Sequence, residues 1–182
     1  CGGEDENSID LSDTWTYCAV SNQWKRLAPA PVASDTNSPY CSRMVYDEIN
    51  DAMVLFSFQN GIVRLCLYYP GNDTWVTLDP KNAFPSPNWW VPDFVFDKSE
   101  GIIVCLNSYN DEITTFNVSN GTWTIKSPSP SPSCNGIGAI FDDENDRILK
   151  ISRSDGALWA YKTNNNTWTK ITQGENLLHR IP

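Results

Sequence analysis

An aromatic residue stands seven places before a tryptophan four times in this chain: Tyr17 and Trp24, Tyr68 and Trp75, Phe116 and Trp123, Tyr161 and Trp168. Between the two lies a polar turn, such as Gly71-Asn72-Asp73-Thr74 or Asn164-Asn165-Asn166-Thr167. The tryptophans follow one another at intervals of 51, 48 and 45 residues. A self-similar period of this length marks a chain built by repeating one supersecondary unit. The spacing constrains architecture and names no ligand.

Between those pairs the chain alternates short strand-like runs with turns. The apolar stretches predict strands over 13–18, 22–27, 40–46, 52–58, 62–69, 75–78, 90–96, 102–106, 112–116, 122–125, 136–141, 147–151, 157–161 and 167–171. Asn60-Gly61 predicts a tight hairpin. The second strand of each unit is nearly all apolar, so it is buried on both faces. A four-stranded sheet with two apolar faces must be covered on both sides. Stacking such sheets radially gives a β-propeller. A β-sandwich is the alternative, but it does not require the regular tryptophan spacing. The expected fold class is all-β, a partial ring of four-stranded antiparallel blades. Residues 1–28 are read as a half blade, 29–79, 80–127 and 128–172 as blades, and 173–182 as a tail.

These residues resemble the Kelch-repeat family. A Kelch repeat has an aromatic-Asp turn, an apolar strand ending in two glycines, a strand ending in Tyr, and Asn-x-Trp after a short turn. Tyr46-Asp47, Phe96-Asp97 and Phe141-Asp142 match the first element. Gly2-Gly3 match the glycines, and the four aromatic–Trp pairs match the last elements. Asn22 and Asn166 match the asparagine. The departures are Phe56-Ser57-Phe58, Leu106-Asn107-Ser108 and Ile151-Ser152-Arg153 in place of the glycines, and Asp73 and Gly121 in place of the asparagine. The resemblance implies a Kelch-like propeller of about three and a half blades. A protein partner, a further copy or another chain segment is expected to complete the ring.

Composition removes several classes of function. The formal net charge is −9, from 22 acidic and 13 basic side chains, which disfavours nucleic acid and anionic membranes. No apolar run is long enough to span a bilayer. Only one histidine, His179, is present. A Ser-His-Asp triad is therefore poorly served, and the two-histidine copper site of propeller oxidases is not available. Residues 152–159 resemble a sialidase Asp-box only faintly, and 142–146 lack the glycine of a calcium loop. No cofactor, metal site or catalytic residue is expected. Six cysteines occur without a C-x-x-C pair. Cys66 and Cys105, inside apolar runs, read as buried thiols. Cys18, Cys41 and Cys134 lie near strand ends, where a disulfide is easier.

Hairpin topology sorts the loops onto two faces. One gathers acidic turns and the sequons at Asn72, Asn120 and Asn165, with Asn117 at its margin. If these are glycosylated, that face is coated. Asn and Asp are also simply good turn formers. The other face gathers Asn60, Tyr109, Asp111, Arg153, Asp155 and the loop carrying Phe84, Asn88, Trp89 and Trp90. Adjacent tryptophans there can stack on a sugar or a peptide side chain, or can pack between blades. The expected function is non-catalytic protein or glycan binding in the secretory or extracellular space, with a cytoplasmic location as the alternative. The alternative functions are assembly with other chains, or part of a propeller enzyme whose active site lies elsewhere.

Overall fold

The computed structural model describes residues 6–7, 11, 13–31, 43–59, 62–85, 93–106, 112–132, 138–152 and 155–172. Among these residues there are fourteen strands: β1 Thr14–Cys18, β2 Gln23–Leu27, β3 Arg43–Asp47, β4 Ala52–Gln59, β5 Ile62–Tyr69, β6 Thr74–Leu78, β7 Asp93–Asp97, β8 Ile102–Leu106, β9 Ile113–Asn117, β10 Thr122–Lys126, β11 Ala139–Asp142, β12 Arg147–Ile151, β13 Leu158–Lys162 and β14 Thr167–Lys170. They form four antiparallel sheets in chain order: sheet 1 is β1-β2, sheet 2 β3-β4-β5-β6, sheet 3 β7-β8-β9-β10 and sheet 4 β11-β12-β13-β14. Residues 1–80 and 81–182 form two units. The first holds sheets 1 and 2, the second sheets 3 and 4. Among the described residues no helix is long and apolar enough to cross a membrane.

One turn design closes seven hairpins. Each joins its strands through four residues, and the fourth has a positive φ: Asn22 at 53°, Asp51 at 48°, Asp73 at 54°, Gly101 at 63°, Gly121 at 68°, Asp146 at 51° and Asn166 at 54°. That region costs an ordinary L-residue roughly 1–2 kcal/mol. Asn and Asp tolerate it, and glycine has no Cβ to clash. Asn, Asp or Gly therefore stands at all seven positions.

The turn is tied to the aromatic residue five places earlier. The Tyr17 hydroxyl donates to Asn22 Oδ1 at 2.7 Å, Tyr46 to Asp51 at 2.7 Å, Tyr68 to Asp73 at 2.9 Å and Tyr161 to Asn166 at 2.8 Å. Phe96 and Phe116 have no hydroxyl to give, and their turns end in Gly101 and Gly121. Phe141 followed by Asp146 is the exception.

The same turn sets the register of the seven-residue spacing. Tyr17 lies opposite Trp24, Tyr68 opposite Trp75, Phe116 opposite Trp123 and Tyr161 opposite Trp168. The four ring pairs have centroids 5.0, 4.9, 4.6 and 5.1 Å apart and interplanar angles of 40–45°. They are one cross-strand contact made four times.

In the second unit the packing between sheets is explicit. Tyr161 and Trp168 are buried with Ile148 against Val95, Val104, Leu106 and Ile113. Register puts Phe141, Ile148, Tyr161 and Trp168 on one face of sheet 4, and Val95, Val104, Leu106 and Ile113 on one face of sheet 3. Each large ring buried in this way contributes roughly 1.5–3 kcal/mol. Lys150, on the same face of sheet 4, is fully buried with its Nζ 3.9 Å from Asp93 Oδ2. Cys66 and Cys105 are buried free thiols. Burial raises both thiols above the ordinary range, Cys105 most.

Replacing Asn166 by Gly removes the acceptor of the buried Tyr161 hydroxyl and should destabilise the protein by about 1–3 kcal/mol. Asn166→Ala should cost more, because the backbone is strained as well. Adding Tyr161→Phe to Asn166→Gly reproduces the Phe116–Gly121 pair of sheet 3 and should recover most of the glycine variant's loss. Denaturant melts of the wild type and these three variants check the order, and a double variant no more stable than Asn166→Gly would contradict it.

Candidate binding surfaces

Within each four-stranded sheet the first and third hairpins turn at one end and the second at the other. The end with the first and third hairpins is occupied by its own polar contacts. Asp47 is buried, and its Oδ1 accepts the N–H groups of Ile49 and Asn50 at 3.0 and 3.1 Å. Asp97 is buried too, and its Oδ1 takes Ser99 N–H at 3.1 Å and Glu100 N–H at 3.2 Å. Asp142 accepts Arg147 Nε at 2.7 Å. That guanidinium holds the carboxyl below its usual range. The aspartates of the aromatic-Asp motif are thus turn caps.

Three sequons occupy one structural position. Asn72, Asn120 and Asn165 are each the third residue of the turn closing the last hairpin of their sheet, and all are exposed. In each, the threonine two residues on donates its hydroxyl to the asparagine Oδ1. Asn117 differs. It ends β9, is half-buried, and its Oδ1 accepts Asn120 N–H at 3.0 Å.

The opposite end varies from sheet to sheet. Gln59 pairs with Ile62 across two residues, whereas Leu106–Ile113 and Ile151–Leu158 each enclose six. Strands β4 and β5 are eight residues long where their counterparts in sheets 3 and 4 have five. Asn60, Asn88, Trp89, Trp90, Tyr109, Asp111 and Arg153 lie outside the described residues.

Phe84 and Asp155 are described, and both have structural partners. The Phe84 ring meets Trp123 edge-on at 4.8 Å. Its linker is strapped to β10, where Asn82 Nδ2 donates to the Trp123 carbonyl at 2.9 Å and Asn82 Oδ1 accepts Trp123 N–H at 2.8 Å. Residue 28 does similar work in the first unit. Ala28 N–H donates to Asp73 Oδ1 at 3.0 Å, and Trp75 Nε1 donates to the Ala28 carbonyl at 2.9 Å. The linker amide is the main cause holding the Asp73 carboxyl low. Burial and then Asp73 push the Tyr68 hydroxyl up to about 12. Asp155 receives Lys170 Nζ at 2.8 Å and Ala157 N–H at 3.1 Å. The ammonium chiefly lowers its carboxyl to about 2.

One apolar feature was not legible in the motifs. Gly138, Ile140, Leu149, Ile151 and Leu158 line a groove of about 270 Å³ on the face of sheet 4 turned away from Tyr161 and Trp168. In the first unit, Trp15, Tyr17 and Trp24 are exposed on one face of sheet 1. Among the described residues no cluster of three or more His, Cys, Asp or Glu can hold a metal ion.

No family model matches the chain, and no curated protein matches it in sequence. Solved structures match it in shape. A chain of a nidogen/laminin complex aligns at a TM-score of 0.57 and 8% identity, over 91% of this chain and 56% of its own. A streptogramin B lyase aligns at 0.57 and 9% identity, over 96% of this chain and 54% of its own. These neighbours are β-propellers. The chain folds as part of a β-propeller. TolB from Acinetobacter baumannii shares that fold at a TM-score of 0.55 and 15% identity, over 96% of this chain and 43% of its own. The present chain thus spans roughly half the length of these propellers.

The Asp155 ion pair gives a signed pH dependence. The folded-state pKa lies below the ordinary carboxylate value, so the stabilisation is complete above that value and disappears as pH falls towards 2. The melting temperature of Asp155→Asn should fall below wild type at neutral pH and converge with it in strong acid. A pH-independent gap would contradict this assignment.

Proposed function

We propose that this chain is a non-catalytic, Kelch-type propeller segment that binds a protein or a glycan outside the cell. Binding is through the loops that join the second and third strands of the four-stranded sheets, residues 59–62 in the first unit and 107–112 and 152–157 in the second, and through the loop of Trp89 and Trp90. One contrast carries the reading. The seven hairpins with a left-handed fourth residue share one length, whereas the loops at the opposite blade ends differ in length and composition. A scaffold that is uniform at one end and variable at the other places recognition at the variable end. The nidogen/laminin neighbour supports a protein-binding role for a propeller of this shape. The aromatic-Asp caps and the Tyr–Trp register contacts support the Kelch reading, because they give the motif residues a common structural purpose.

Extracellular placement rests on the sequons. Asn72, Asn120 and Asn165 stand exposed on three equivalent turns. Asn117 is committed to its own turn. These three sites take glycan and Asn117 does not.

Two measurements test the proposal. In a glycosylating secretory host, peptide mass mapping should find glycan at Asn72, Asn120 and Asn165 and none at Asn117. Glycan confined to Asn117, or none at all, contradicts the assignment. Against a glycan array and a panel of extracellular-matrix proteins, Trp89→Ala/Trp90→Ala should abolish binding with the melting temperature unchanged. Unaltered binding together with a fall in stability would make those rings packing residues and overturn the site.

A further inference from the structure

The groove on the last blade has a filled counterpart one blade earlier. Register aligns Ile140 with Val95, Leu149 with Val104, Ile151 with Leu106 and Leu158 with Ile113. In the third sheet those four positions hold Tyr161 and Trp168 of the following blade. In the last sheet the same positions line the open groove, with Ile140 64% and Ile151 51% exposed.

The complementary piece is also in the chain. Tyr17 and Trp24 have the ring separation and tilt of Tyr161 and Trp168, 5.0 Å and 43° against 5.1 Å and 40°. Yet Trp24 is 67% exposed, where Trp168 is 4%. The likeness extends to the next cross-strand row. Trp15 faces Arg26 as Trp159 faces Lys170, whose Nζ lies 5.8 Å from the Trp159 ring centre. The corresponding rows are Cys66–Thr77 in the second sheet and Thr114–Ile125 in the third. Sheet 1 therefore repeats the seated face of the last blade in particular.

We propose that the β11–β13 groove is a docking site for the Tyr17–Trp24 face of a second copy of this chain. The contact reproduces, between molecules, the packing that joins the third and fourth sheets within one. It is heterologous, with a different surface on each partner, so it closes into a ring or runs on as a filament. The site is apolar because its occupant is a pair of rings. Aromatic anchors in such pockets commonly dominate an interface.

Light scattering on the full chain should show concentration-dependent association. Trp24→Asp and Ile140→Asp should each yield monomers with the fold retained, their dissociation constants raised ~30-fold or more. Mixing the two variants should restore a one-to-one dimer and nothing larger, since one supplies an intact groove and the other an intact ring pair. A wild-type chain that stays monomeric overturns the proposal. So does a mixture that fails to pair while both variants melt normally. Association that appears only after removal of residues 173–182 would make the tail the occupant and equally overturn it.

Discussion

The structure depends on a backbone constraint at the fourth residue of a four-residue turn. That residue must be left-handed, and Asn, Asp and Gly meet the demand at seven hairpins. Once the turn closes, the strands have one register. In the last hairpin of each blade that register brings an aromatic residue opposite a tryptophan. Four tyrosines then return a hydroxyl to the turn that placed them. Ring contact, register and turn conformation are parts of one local lock. The faces presented by these locked sheets determine what each blade can stack upon.

All-β architecture was legible because its signals were local. Each aromatic–Trp interval of seven equals a four-residue turn plus the paired residues around it, so period and register are the same fact. Among the described residues all fourteen expected strands occur, and the expected starts at 40–42, 90–92 and 136–137 lie outside those residues. The double glycine was not essential: Phe56, Leu106 and Ile151 pass through that place in regular antiparallel pairing. What escaped sequence reasoning was the bond across five residues, although the Tyr–Asn, Tyr–Asp and Phe–Gly combinations were visible. In the sequence the turn residue reads only as a turn former, and geometry alone joins it to the ring five places earlier.

The binding surfaces were less legible, for a different reason. Phe84 lies 39 residues before the tryptophan it touches, while Ala28 lies 47 before its own. Linker lengths vary, so no interval announces these contacts. Asp155 looked available for a ligand because a sequence does not show that Lys170 crosses the neighbouring strand to meet it. The groove beneath Ile140 and Ile151 was invisible because its residues read as ordinary strand alternation. Its meaning appears only beside the occupied surface of Val95, Val104, Leu106 and Ile113. A face is a recognition surface or a core seam according to what lies on it, and the residue types are the same.

The self-contained hairpins also bear on how the chain reaches its structure. Among the described residues every strand pair joins neighbours in sequence, and the connections within sheets are two to six residues long. Closing such loops carries a small entropic penalty compared with the distant pairings of a sandwich. Register can be settled within each hairpin without contact between blades. Errors of strand slippage, which turn every side chain to the wrong face, are suppressed at the stage when exposed edges are most numerous. The kinetic difficulty is thereby moved from forming the sheets to stacking them.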